Sequence, residues 1–404
     1  MTFNGILLLY RYTLGKQEIP VELRNHTLIK RINRVKILNA IRLHSPIARS
    51  QIADMTRLDR KSLTNFISEF LVEGIVAEAG KQEQSMGRPF TMLRFAEGLA
   101  AGGIYIAPDM TAGVLIGLDG KKIASARRDF PLYSPMEVIV SSVRELYMEL
   151  KTAGVKIYGF GLCVPGVIES ESGLVRASVN LPSLIWRELG KDFAPTVEEK
   201  LYIEDASRSK SLAEKWFGAG RKAGDFVCID LDVGVGMGII NGRSLYKGAA
   251  DYAGEIGHIV IERNGRLCRC GNRGCLEAYL ARNVVLDEVN RAAGTDFARL
   301  EDFSSELNGE LEKLLDDYGT KLAMALGSVV NLLSPKIIIL NGGLVESFGE
   351  RMLPIISKEI SAFCLSETLS GTKIIASDLE YSAAMGAASL VLSDIFEVPG
   401  HFTI

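Results

Sequence analysis

Apolar residues near the start of the chain recur with a helical period and then change to a strand period. In "NRVKILNAIRLHSPIARSQIADMTRLDRKSLTNFISEFLVEGIVAEAG", Val35, Leu38, Ile41 and Leu43 fall on one helical face, which stops at Pro46. A second, short helix opens with Arg49 and Ser50 and turns Ile47, Ile52, Ala53 and Met55 inward. A third follows Leu58, with Asp59 as its N-cap, because a carboxylate there accepts the free N–H groups of the first turn. Leu63, Phe66, Ile67, Phe70 and Leu71 form its inward stripe. Arg60, Lys61, Ser62, Thr64 and Asn65 form the opposite face, and Arg49, Ser50 and Gln51 begin the second helix. These are side chains of the kind that bond phosphates and base edges. After Gly74, "IVAEAGKQEQSMGRPFTMLRF" reads as two strands joined by a polar loop, with Gly87 and Arg88 at the tip, where a narrow minor groove attracts an arginine. Three helices and a wing predict a winged helix-turn-helix whose third helix enters the major groove of double-stranded DNA.

From residue 96 the period is that of strands. "AAGGIYIAPDMTAGVLIGLDGKKIASARRDF" carries a hairpin turn at Asp119-Gly120, and a long amphipathic helix follows Ser134. "VKIYGFGLCVPGVI", "DFVCIDLDVGVGMGIINGRSLY" and "SPKIIILNGGLVES" are apolar strands that run into glycines. Strands alternating with helices predict an α/β body that binds ligands at its strand ends. Glycine-rich turns at three widely spaced places point to nucleotide-binding ancestry, since a backbone N–H approaches phosphate only where no Cβ intervenes. The expected organisation is a tail over 1–21, a DNA-binding head over 22–95 and the α/β body over 96–404.

Composition and charge sharpen this division. With 404 residues, 47% hydrophobic and 24% charged, the chain is too long for one core and excludes a disordered or coiled-coil protein. Residues 22–95 hold 13 Lys and Arg against 7 Asp and Glu, whereas the whole chain has a net charge of −3, so a basic head precedes an acidic body. Phosphate contacts supply most non-specific affinity for nucleic acid, so this asymmetry fits a head that binds a polyanion. Six cysteines are too few for a disulfide scaffold and fit a reducing cytoplasm. The opening apolar run is only Ile6 to Leu9, with neither the basic start of a signal peptide nor the length of a membrane span.

Two sets of residues in the body carry chemistry. Asn180, Asp205, Glu255, His258 and Glu277 are amides, carboxylates and an imidazole of the kind that bond sugar hydroxyls, and Asp205 follows the strand-like "KLYIE". In "GHIVIERNGRLCRCGNRGCLEAY", His258, Cys268, Cys270 and Cys275 make a one-His, three-Cys set suited to tetrahedral zinc, with Gly265, Gly271 and Gly274 supplying turns. Four protein ligands leave no open position for a reactive water, and the spacing is not that of a nucleic-acid finger. The expected role is a structural clip. It ties together Glu255, three residues before its first ligand, and Glu277, two after its last, with His258 belonging to both sets.

The helix-turn-helix with "GRP", "CVPGVIESESGLV" with "NLPSLIW", "IEDAS", "GEIGH", "LCRCGNRGCLE", "NGGLVES" and "SAAMGAASLVL" together resemble the ROK family of bacterial sugar repressors and sugar kinases, over residues 30–395. The resemblance implies a two-lobed, actin-like ATPase fold with a sugar in the cleft, a zinc site close to it, and a dimer or tetramer. It places Asn180, Glu204, Asp205, Glu255, His258 and Glu277 around the ligand. Family kinases open the body with Asp-x-Gly-Gly-Thr. Here Tyr105 stands at the Asp, and Ala107, Pro108 and Asp109 replace Gly-Gly-Thr; Pro108 offers no N–H and Asp109 repels phosphate. Asp232-Val233-Gly234 replaces a second Gly-Thr-Gly, Asn341 replaces a glycine of the later turn, and Glu204 replaces a sugar-contacting Asn. The reading that follows is a sugar-responsive transcriptional repressor, not an enzyme, that keeps its sugar site and has lost its ATP site. As a dimer it would bind a palindromic operator with half-sites about one helical turn or a multiple apart. The alternative is an active ATP-dependent sugar kinase with a DNA-binding head, in which Asp205 matches the general base.

Overall fold

The computed structural model describes residues 21–82, 90–170, 172–303 and 309–398. The head follows the predicted order: α1 (Val21–His44), β1 (Ile47–Ala48), α2 (Arg49–Thr56), α3 (Arg60–Glu73), β2 (Val76–Gln82) and β3 (Phe90–Phe95). Asp59 caps α3 by accepting the Ser62 N–H at 2.9 Å, and Gly74, in the left-handed region at φ 70°, ends it. Leu38, Ile41, Ile52, Leu63, Ile67 and Phe70 close the head core. Leu43 and Met55, which the spacing turns inward, are instead 66% and 53% exposed, because each stands in the final turn of its helix, where the stripe runs past the core. The strands form an antiparallel sheet in the order β1-β3-β2.

The body repeats one strand pattern twice. β4 (Leu99–Ile106), β5 (Met110–Gly117) and β6 (Lys122–Asp129) run antiparallel, and β7 (Lys156–Val164) and β10 (Leu201–Asp205) add in parallel, giving the order β10-β7-β4-β5-β6. Between β7 and β10 lie the short strands β8 (Val167–Glu169) and β9 (Leu174–Ala177) and the helix α5 (Leu189–Phe193). The second lobe is built alike from β11 (Phe226–Leu231), β12 (Val235–Asn241), β13 (Ser244–Tyr246), β14 (Ile337–Asn341) and β15 (Lys373–Ala376), ordered β13-β12-β11-β14-β15. The predicted amphipathic helix is α4 (Met136–Lys151); α6 (Ala206–Trp216) follows β10. In the second lobe come α7 (Glu277–Leu280), α8 (Arg282–Ala293), α9 (Gly309–Leu333), α10 (Gly343–Glu359) and α11 (Ser366–Leu369), and after β15 the last of the described helices, α12 (Ser382–Phe396). Among the described residues no helix is long and apolar enough to cross a membrane.

α6 and α12 exchange lobes. α6 leaves the first sheet and packs on β11 and β12 of the second, while α12 returns from the second to pack on β4, β5 and β7 of the first. The strands permit this by having no side chain at the crossing points: a Cβ on Gly161 would lie 1.8 Å from the Ala387 carbonyl oxygen. The head is seated on the far end of α12. Phe95 packs edge-on to Phe396 at 5.6 Å, Arg42 lies 4.8 Å over Trp216, Asn39 donates to the Phe396 carbonyl at 2.8 Å, and Arg31 pairs with Asp394 at 3.0 Å. Head residues and α12 thereby share one apolar cluster.

Candidate functional site

β10 ends as α6 begins, and Asp205 joins them: its carboxylate caps α6 by accepting the Arg208 N–H at 2.9 Å. Opposite, the β11–β12 turn is held by Glu277, which accepts the Val235 N–H at 3.0 Å. The segment carrying Glu255 and His258 lies flat on β12, and glycines are required there. A Cβ on Gly254 would meet the Met237 carbonyl oxygen at 2.0 Å, and one on Gly257 the Val235 oxygen at 2.2 Å. These elements enclose a cavity of about 130 Å³ lined by Asn180, Asp205, Glu255, His258 and Glu277, five of the six residues expected around a ligand. Burial, reinforced by Glu204 and Glu255, pushes the Asp205 carboxyl up to about 7 against the opposing charge of Arg208.

Glu204 is the exception and corrects the expectation. The Asp205 carboxylate turns to the first N–H groups of α6, whereas Glu204, one position earlier on β10, does not line this cavity. The Glu204 side chain is fully buried and is bonded to the Lys247 ammonium, the Ser170 hydroxyl at 3.2 Å and Arg208 Nε at 3.4 Å. It lines a separate cavity of about 650 Å³ that also reaches Arg31 of the head and Asp394 of α12.

The four candidate metal ligands lie together. The donor atoms of His258, Cys268, Cys270 and Cys275 all lie within 4.8 Å of one another, with His258 Nδ1 3.8 Å from Cys268 Sγ and Cys270 Sγ 3.8 Å from Cys275 Sγ. A tetrahedron with bonds of about 2.3 Å has edges of about 3.8 Å, so the cluster has the dimensions of a four-coordinate thiolate site. Gly271 (φ 94°) and Gly274 (φ 76°) turn the loop, and a Cβ on Gly274 would strike the Glu262 carbonyl oxygen at 1.7 Å. Tyr279 ties the loop base by donating to Glu262 at 2.6 Å and accepting the Arg266 N–H at 2.9 Å. Arg269, between two ligands, reaches across the cleft and donates to Asn180 Oδ1 at 3.1 Å.

Tyr105 and Asp232 stand on the wall shared with a larger compartment of about 440 Å³, lined also by Asn341, Gly342, Glu346 and Ser382. The two carboxylates that oppose a triphosphate are occupied by cations of the protein itself. Arg282 binds Asp109 at 3.0 Å and Asp232 at 3.6 Å, and Lys210 binds Asp232 at 3.3 Å and Asp230 at 2.6 Å. Burial lowers the Lys210 pKa, but Asp230 and Asp232 outweigh it, so the ammonium stays charged. Asp109 belongs to the first lobe and Arg282 to the second, so this chain of charges bridges the cleft. Sequence reasoning missed Lys210, Arg282 and Arg208. A signal existed for the first and last: long cations stand among Ala206, Ser207, Ser209, Ser211 and Ala213, a run of small residues that only a helix buried on several sides requires.

In the head, Arg60, Lys61, Thr64 and Asn65 are exposed along α3 and Ser62 is half-buried, as a free recognition face requires. Ser50 is exposed at the start of α2. Gln51 is exposed but also accepts the Ala48 N–H at 2.9 Å, and Arg49 is drawn 3.6 Å from Glu78. Gly87 and Arg88 lie outside the described residues.

A winged helical head on a duplicated two-lobed body, with a polar pocket in the cleft beside a one-His, three-Cys cluster that could hold a metal, defines an actin-like, sugar-kinase-related fold carrying a helix-turn-helix. The chain belongs to the ROK family, whose model matches residues 101–394. It is 26% identical to the xylose repressor of Bacillus subtilis (strain 168) over 94% of this chain and 99% of that one. It is 29% identical to a glucokinase of Thermotoga maritima over 69% of this chain and 92% of that one. The crystal structure of a ROK family transcriptional regulator, a homologue of the E. coli Mlc protein, superposes with a TM-score of 0.78 at 23% identity, covering 91% of this chain and 97% of the other.

Proposed function

We propose that the protein is a sugar-responsive transcriptional repressor: the α3 face reads double-stranded operator DNA, the cleft pocket binds a sugar, and the body does not transfer phosphate. The observation that carries this reading is the course of α12. Ser382, Ala383 and Ala384 at its start line the cleft compartment, Ser382 bonds Asn341 of the second lobe at 3.0 Å, and Asp394 and Phe396 at its end hold α1 of the head. A ligand that changes how the lobes meet moves this helix, and with it the head. A coupling of about 1 to 3 kcal/mol between sugar and DNA suffices for a switch.

Asn180, Asp205, Glu255, His258 and Glu277 bind the sugar. Zinc on His258, Cys268, Cys270 and Cys275 is structural, since a closed four-ligand set supports no reaction at the ion, and it fixes the segments that carry Glu255 and Glu277. A homodimer places two heads on a palindromic operator in the cytoplasm, where the thiols stay reduced. The Asp109–Arg282–Asp232–Lys210 chain favours this over the kinase alternative, because it fills with protein charge the place where phosphates and their metal would be held. The test is a gel-shift titration of operator DNA against a sugar panel, with ADP release measured in parallel. Sugar-dependent DNA affinity without turnover is expected. Robust ADP release that disappears in Asp205→Asn, or DNA affinity indifferent to every sugar, overturns the reading.

A further inference from the structure

We infer that Arg208 is a specificity-determining contact of the cleft pocket, gripping with Asp205 one vicinal pair of sugar hydroxyls. The inference deepens the sugar-binding reading above and rests on it. Arg208 stands in the first turn of α6, is 4% exposed, and lines the 130 Å³ cavity. Its Nε faces Glu204 Oε1 at 3.4 Å and Asp205 Oδ1 at 3.8 Å, but its Nη1 is buried with no partner in the protein. A buried guanidinium N–H left without an acceptor is costly, and a guanidinium donates only. An oxygen that enters the cavity with a ligand would supply that acceptor.

The surroundings say which kind. Asp205, Glu255 and Glu277 line the cavity beside Asp230 and Asp232, which Lys210 and Arg282 already hold, and the charge of Arg208 is shared with Glu204 and Asp205. A phosphate or carboxylate would enter against this excess of negative charge, whereas a neutral polyol meets no such barrier. A sugar hydroxyl both donates and accepts, so one can give its proton to the Asp205 carboxylate while its neighbour on the ring accepts from Nη1. Donor and acceptor at fixed positions a few ångströms apart select the relative configuration of two adjacent carbons.

The experiment is titration calorimetry of the full-length protein with a panel of monosaccharides, followed by deoxy and epimeric versions of the tightest binder. The same titrations are made with Arg208→Gln and Arg208→Lys. In the unmodified protein, loss or inversion of one particular hydroxyl is expected to weaken binding about tenfold or more, because it strands the buried donor. In Arg208→Gln that penalty shrinks to about threefold or less while penalties at the other hydroxyls persist, and Arg208→Lys lies between. Equal penalties at every hydroxyl in unmodified and variant protein overturn the role of Arg208 while leaving sugar binding in place. Tighter binding of a phosphorylated or carboxylated sugar than of its neutral parent overturns the diol assignment. Failure of the unmodified protein to bind any monosaccharide removes the sugar reading itself. A co-crystal of the unmodified protein with the tightest binder tests the contact without any variant: no ligand oxygen within 3.5 Å of Nη1 overturns it.

Discussion

Removing Arg282 should loosen the cleft by an amount the geometry sets. Its guanidinium bonds Asp109 of the first lobe at 3.0 Å and reaches Asp232 of the second at 3.6 Å, with side chains 21%, 23% and 18% exposed. At an effective dielectric near 20, charge centres about 4 Å apart attract by about 4 kcal/mol, and desolvation takes back much of that. Asp232 keeps Lys210 when Arg282 is lost, so Asp109, which already has one buried oxygen without a partner, is the group left stranded. Arg282→Met should therefore destabilise the body by about 2 kcal/mol, and Asp109→Asn by somewhat less. The double variant should cost less than the sum, giving a coupling of about 1 to 2 kcal/mol. Urea unfolding of the four proteins, followed by tryptophan fluorescence, measures this, because Trp216 lies on the interlobe helix α6 and Trp186 in the first lobe. A coupling below about 0.3 kcal/mol would refute the bridge and reduce the pair to two surface charges.

Other expectations follow from the pocket, the metal loop and the head. With the Asp205 carboxyl at about 7 among Arg208, Glu204 and Glu255, a hydroxyl that needs its ionised form should bind about tenfold more tightly at pH 8 than at pH 6; Asp205→Asn should flatten that slope, and a slope that survived in the variant would assign it elsewhere. Cys270→Ser should lose bound zinc, measured by atomic absorption, and sugar response together; normal sugar affinity in the zinc-free variant would make the metal a local staple only. Lys61→Ala on the exposed face of α3 should weaken operator and non-operator DNA alike and lower the salt slope by about one unit; a loss confined to one operator base pair would instead make it a base contact.

What could be read from the sequence was what short stretches encode. The α3 cap at Asp59, the Asp119-Gly120 hairpin and the His258–Cys275 loop each depend on residues close together in the chain, and side-chain chemistry at that range survives folding unchanged. What escaped depends on meetings between distant parts of the chain, 173 positions apart for Asp109 and Arg282. Asp109 and Asp232 were legible as groups hostile to phosphate, but nothing nearby names Arg282 as the partner of both. Glu204 was expected at the pocket by resemblance alone, and nothing within its own stretch names Lys247, 43 positions on, as the partner that holds its carboxylate. The repetition of one strand order in both lobes leaves no trace in the spacing of apolar residues, since it lies in how strands pair.

The exchange of α6 and α12 between lobes also dictates the order in which the protein can be completed during synthesis. The face of the first sheet that takes Ala384, Ala387 and Ala388, and the surface of α1 that takes Phe396, are both finished by the last helix of the chain. When the head and first lobe leave the ribosome, roughly half of the polypeptide must still be translated before that helix arrives, so apolar surface stays uncovered for about ten seconds or more at ordinary elongation rates. Stop codons a few tens of residues early would spare every residue that lines the smaller, 130 Å³ cavity and every candidate metal ligand, yet would leave both the head and the first lobe without their cover and mark the product for aggregation or proteolysis.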